Sequence, residues 1–173
     1  MKLPLVSVGL CAVASMLAQA TQQVDESGLD GIVRRMKFDN EGLLQGGLDG
    51  ILRSFDKRGN VIDSARLDSE QLMVMARALN NKELASHWQN VNSSEVDENE
   101  VWSPEKHLLP RRFTDPEEVE DAQMSAAPLH HNLIRASKEC QNIPCQVTLQ
   151  CRAFNCRWCF SPPPGYGRSH CMK

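Results

Sequence analysis

Six cysteines stand between Cys140 and Cys171, with gaps of 4, 5, 4, 2 and 11 residues. Three kinds of chemistry fit such a run. Paired thiols make disulfides. Cys156 and Cys159 form a C-x-x-C that His170 and Cys171 would complete into a zinc tetrad. A C-x-x-C also serves redox exchange, but that use belongs inside a βαβ pattern, and none surrounds this one. The compartment decides among them. The chain opens with Lys2, an apolar run over 3–17 and Ala18-Gln19-Ala20, the three parts of a secretory signal peptide over 1–20. The run is shorter than the roughly 20 residues a membrane span needs. Cys11 leaves with the signal, and an even set of Cys140, Cys145, Cys151, Cys156, Cys159 and Cys171 in a secreted chain reads as three disulfides. A zinc tetrad would leave two cysteines over. The connectivity stays open at this level.

The same segment concentrates the aromatics and the positive charge. Of 9 aromatic residues in 173, four fall between Cys151 and Cys171. About 36 residues cannot bury enough apolar surface to fold unaided, since domains below about 40 residues need disulfides, metal or a partner. The cystines are therefore expected to be the core. Arg152, Phe154, Arg157, Trp158, Phe160, Tyr166 and Arg168 are then expected largely at the surface as a target-binding face, with Phe154 or Trp158 covering the cystines. Trp, Tyr and Arg are the residues that anchor interfaces.

The short fourth gap and long fifth gap resemble the inhibitor cystine knot, the knottin scaffold of venom toxins and some signalling peptides. The resemblance covers the last fifth of the chain. It implies the pairs Cys140–Cys156, Cys145–Cys159 and Cys151–Cys171, with a β-hairpin in the fifth gap, where Pro164-Gly165 supplies a turn signal. Two features depart from the family: four residues separate the third and fourth cysteines, and Pro162-Pro163-Pro164 would stiffen one side of the hairpin.

The elements ahead of this segment read as helical over 21–92. SGLDGIVRRM (27–36) and GGLDGILRSF (46–55) are near copies at a period of 19, which points to a duplicated helical hairpin. Asp68 with Gln71 has capping-box spacing, and Leu72, Met75, Ala76 and Leu79 share one face of the helix that follows. FDNEG (38–42) and FDKRG (55–59) resemble EF-hand loops, yet position 12 would be Gly50 or Leu67 instead of the bidentate Glu. No cofactor is expected. No constellation of nucleophile, base and oxyanion donors is visible, so no enzyme is expected either.

From residue 93 the composition turns acidic and proline-bearing, which predicts a disordered linker over 93–135 ahead of a basic cysteine-rich domain over 136–173. Asn92-Ser93-Ser94 is an N-glycosylation sequon. Arg111-Arg112 and Arg135 are candidate processing sites, since proteases cut where the chain is locally unfolded. Residues 21–134 carry 12 Lys+Arg against 21 Asp+Glu, and 135–173 carry 6 against 1. An acidic pro-region masking a basic peptide fits this split. The expected product is a secreted toxin or defence peptide acting on a channel, receptor or anionic membrane after a processing protease has cut, with no nucleic acid partner. The alternative is an unprocessed extracellular effector or peptide hormone that binds through the cysteine-rich domain.

Overall fold

The computed structural model describes residues 28–115 and 140–173. The signal segment and Arg135 lie outside the described residues. A helix, α1 (Leu29–Arg35), leads into three antiparallel strands: β1 (Leu43–Gly46), β2 (Ile51–Phe55) and β3 (Val61–Arg66). Helices α2 (Ser69–Ala78) and α3 (Lys82–Trp88) follow, then the short helices α4 (Glu98–Trp102) and α5 (Arg111–Thr114). The cysteine segment adds α6 (Thr148–Arg152), β4 (Trp158–Ser161) and β5 (His170–Met172).

All five strands belong to one sheet in the order β3-β2-β1-β4-β5. The β1/β4 pair is parallel, with Leu44 opposite Phe160, and the other pairs are antiparallel. The hairpin expected in the fifth gap is present, with Cys159 opposite Cys171. Its first strand, however, is zipped to a strand formed more than a hundred residues earlier. The cysteine segment is thus not a free-standing domain.

Side chains alternate across a strand, and here the alternation sorts two cores. Leu44, Leu52, Trp158 and Phe160 face α1, α2 and α3, where Val33, Met36, Leu72, Met75, Leu84 and Trp88 complete an apolar layer. Leu43, Phe55 and Ile143 face the other way, into the six cysteines, with Val61, Leu109 and Phe113 packed alongside. Cystines form most of this second core, and the earlier strands cover them.

Three expectations hold. Asp68 and Gln71 make the capping box, with Asp68 Oδ1 accepting from Gln71 N at 2.8 Å. Leu72, Met75 and Ala76 are buried on one face of α2, and Leu79 is partly buried against the same core. The disulfides are Cys140–Cys156, Cys145–Cys159 and Cys151–Cys171, the first-to-fourth, second-to-fifth and third-to-sixth order that the knottin resemblance implies.

Two expectations need correction. The 21–92 region is not helical throughout, because residues 43–66 form the three-strand meander. The turn FDKRG is its second hairpin connection: Asp56 Oδ1 accepts from Arg58 N and Asn60 N, both at 2.8 Å, and Gly59 takes φ +87°. The linker predicted over 93–135 is structured over 93–115. Acidic, proline-bearing chain can be ordered where cations and rings from the sheet hold its backbone. The buried Arg53 guanidinium donates to Val101 O at 2.9 Å and Glu100 O at 3.1 Å. Arg66 donates to Ser93 O and pairs with Glu98 at 3.1 Å. Phe113 packs on Phe55 with ring centroids 5.6 Å apart.

Candidate functional site

Helix α6 is positioned from inside by sulfur. Cys151 and Thr148 point into the cystine core, and Thr148 Oγ1 accepts from Cys159 N at 3.4 Å. Its N-terminus is tied to the loop before β1, through Thr148 N to Gly42 O at 2.9 Å and Leu149 N to Asn40 O at 2.8 Å. Asn155, at φ +60°, ends the turn after the helix, a conformation Asn tolerates better than most residues. What remains on the outside is a short knob spanning Leu149 to Arg157. Leu149 is 55% exposed and Phe154 38% exposed, with Arg152 and Arg157 exposed beside them. Exposed apolar side chains framed by guanidinium groups on a disulfide-braced support can anchor a partner at little ordering cost.

The seven residues expected on a target-binding face divide. Arg152, Phe154, Arg157 and Arg168 are exposed. Trp158 and Phe160 are not: they are 8% and 3% exposed and belong to the helical core. Trp158 stacks on Phe38, with centroids 5.7 Å apart and planes 4° from parallel. Phe160 lies 6.0 Å from the His170 ring. Strand parity is the reason: once Cys159 points to its disulfide, Trp158 and Phe160 must point to the opposite face. Tyr166 is partly buried against the same core, and its carbonyl accepts from Asn81 Nδ2 at 3.2 Å. Neither Phe154 nor Trp158 covers the cystines, a role taken by Leu43, Phe55, Val61, Leu109 and Phe113. The Arg157 guanidinium sits 5.9 Å from the Trp158 ring centroid and is thereby steadied. Leu149 was missed by sequence reasoning. Its signal was the spacing: with Thr148 and Cys151 turned inward on one helical face, Leu149 falls on the other.

The processing site Arg111-Arg112 is built into the fold. Arg112 Nη1 donates to Glu41 O at 3.1 Å and to Gln146 O at 2.8 Å, joining the β1 loop to the cysteine segment. Its guanidinium lies 5.4 Å from the Phe113 ring centroid. Burial pulls its pKa down, against the opposing pull of Asp39 and Glu41. A protease would have to unwind α5 to reach it, which corrects the expectation of a locally unfolded cut at this pair.

The C-x-x-C is divided between two bridges, Cys156 to Cys140 and Cys159 to Cys145. The sulfurs of Cys145, Cys151 and Cys159 lie within 4.8 Å of one another, so two cystines stack against each other in the core. Asn92 is exposed, its Nδ2 donating to Glu95 Oε1 at 2.7 Å and its Oδ1 accepting from Ser94 Oγ at 2.7 Å. No helix among the described residues is long and apolar enough to cross a membrane. Comparison with models of protein families, with curated proteins and with solved structures finds no match to this chain.

Proposed function

We propose that the chain acts as one uncut secreted unit, an extracellular effector or ligand that presents the Leu149–Arg157 knob to an acidic site on a protein receptor. The pairing of β4 with β1 carries this reading. Excised at Arg111-Arg112 or Arg135, the cysteine segment would bare Trp158 and Phe160, which the intact chain buries among its helices. Exposing two large rings costs several kcal/mol at about 25 cal/mol per Å² of apolar area, and a released toxin or defence peptide would have to tolerate it. The knottin-like part of the reading rests on the pairing order and the fifth-gap hairpin. The acidic 21–134 region and the basic segment then belong to one working molecule, not to a mask and its cargo. Channels and anionic membranes are the other targets a basic, apolar knob would fit.

Intact mass of the naturally secreted product tests the first half: a chain running from the signal cleavage to Lys173 supports it, and a fragment beginning near Ala136 overturns it. Binding to the cells it acts on tests the second half. Phe154→Ala and Arg152→Ala should each weaken binding by about 2 kcal/mol, roughly thirtyfold, the hot-spot range, with the three disulfides intact. Unchanged binding in both variants rules the knob out.

A further inference from the structure

The two outer edges of the sheet are treated differently. Beyond β5 the chain folds back on itself: Cys171 N donates to Ile143 O at 2.8 Å, Cys145 N to Ser169 O at 3.2 Å, and Pro144 bridges to His170. Beyond β3, among the described residues, no strand pairs. An open edge is a template for another chain's strand, and proteins cover such edges. β3 (Val61–Arg66) is six residues long, about 20 Å at 3.3 Å per residue, and none of its first five residues is fully exposed or fully buried.

The sequon stands at the end of this edge. Ser93 Oγ donates to Leu67 O at 2.7 Å and the Arg66 guanidinium donates to Ser93 O, so the backbone beside Asn92 is stapled to the end of β3. The Asn92 side chain itself is exposed. Its amide nitrogen touches only the Glu95 carboxylate, and a secondary amide would keep one N–H for that bond. The Ser94 hydroxyl that makes the triplet a sequon lies against the same amide. A substituent on Nδ2 therefore displaces no packed group.

We propose that Asn92 carries an N-linked glycan and that this glycan covers the open edge of β3. In the transfer, Asn92 Nδ2 forms a bond to the anomeric carbon of the first sugar of a diphosphate-linked lipid oligosaccharide. The bond from that carbon to the diphosphate oxygen breaks, the lipid diphosphate leaves with the electron pair, and the amide gives up one proton. The bulky, hydrated product stands beside backbone groups that a second chain would otherwise pair with. The assignment shares passage through the secretory pathway with the proposed function, and disulfide formation reports that passage separately.

The test is secretion of the full chain from a eukaryotic host, followed by intact mass before and after an amidase that removes N-glycans and leaves Asp at position 92. A mass excess that collapses on treatment, with Asp found at position 92, is the expected result. It should vanish in Asn92→Gln and Ser94→Ala and persist in Ser94→Thr. A secreted, fully disulfide-bonded chain with unmodified Asn92 overturns the site while leaving the proposed function standing. Enzymatic removal from the folded protein should speed hydrogen exchange across 61–66 and raise concentration-dependent association in sedimentation. Identical exchange and association with and without the glycan overturn the covering role.

Discussion

GLDGIVRR and GLDGILRS are nearly one sequence, and they fold in two ways. The first is helix α1, where Asp30 and Arg34 pair at 2.7 Å one turn apart, 53% and 43% exposed. The second is a hairpin turn leading into β2. Gly50 takes φ +79°, Asp49 Oδ1 accepts from Ile51 N at 3.2 Å, and Asp49 pairs with an Arg53 whose side chain is 0% exposed. The same Asp and Arg, four apart, make a surface ion pair in one copy and an interior clamp in the other. Neighbours make the difference. Trp88 Nε1 donates to Gly47 O at 3.0 Å and the His87 ring sits 2.9 Å from Leu48 O, so α3 grips the second turn. Arg53 is met by the carbonyls of α4. Local propensity is a weak preference that tertiary contacts override, and this chain makes the comparison within itself.

Making one substitution in both copies breaks or confirms that contrast. Arg53→Met should lower stability by about 3–5 kcal/mol, because Asp49 and two carbonyls lose a buried charged partner, and urea unfolding measures it. Arg34→Met should cost under about 0.5 kcal/mol, as exposed helix pairs do. Equal losses would mean that the two pairs are not the surface and interior forms described. Gly50→Ala sharpens the turn's part in it. A Cβ there would lie 3.0 Å from Val91 and 3.1 Å from Ser93 at a left-handed φ, and a loss of about 1–3 kcal/mol is expected. Trp88→Phe removes the donor to Gly47 O, a carbonyl that also accepts from Gly50 N, and leaves part of the indole volume empty at a fully buried position. About 1–2 kcal/mol should go.

The smallest expected effect is with pH. Glu98, on α4, has its pKa lowered first by the hydrogen bond from Trp102 and then by Arg66. Its contribution is present above the unfolded carboxylate range, near about 4.3 for Glu, and is lost as pH falls through the lowered folded value. Trp102 Nε1 donates to Glu98 Oε1 at 2.9 Å, so Trp102 fluorescence should titrate in acid, with Trp102→Phe as the control for the other two tryptophans. A titration unchanged in that control would place the carboxylate's influence elsewhere.

Much of the cysteine segment was legible because its signals are local. Six cysteines in a short span, a turn at Pro164-Gly165 and a long fifth gap define a bridged hairpin within a few residues of each feature. The cap of α2 was legible for the same reason, since Asp68 and Gln71 touch across one turn. The exposed knob was half legible. Arg152 and Phe154 lie where a cystine core would leave them, whereas Trp158 and Phe160 were misplaced because the segment was taken to be its own domain. The ordered run over 93–115 was not legible from composition, which registers charge and proline but not the arginines of distant strands that hold its backbone.

By itself the sequence determined the number of cysteines, the cap and face of α2, the reach of the hairpin loop and the parity that sets Cys159 opposite to Trp158 and Phe160. Each follows from groups a few bonds or one turn apart, whose geometry the backbone fixes. The pairing of Leu44 with Phe160, the choice of helix or turn for each GLDGI copy and the burial of Arg53 were decided only by the tertiary structure. In those cases the local alternatives differ by about 1 kcal/mol or less per residue, and a partner far along the chain supplies the larger energy that selects between them.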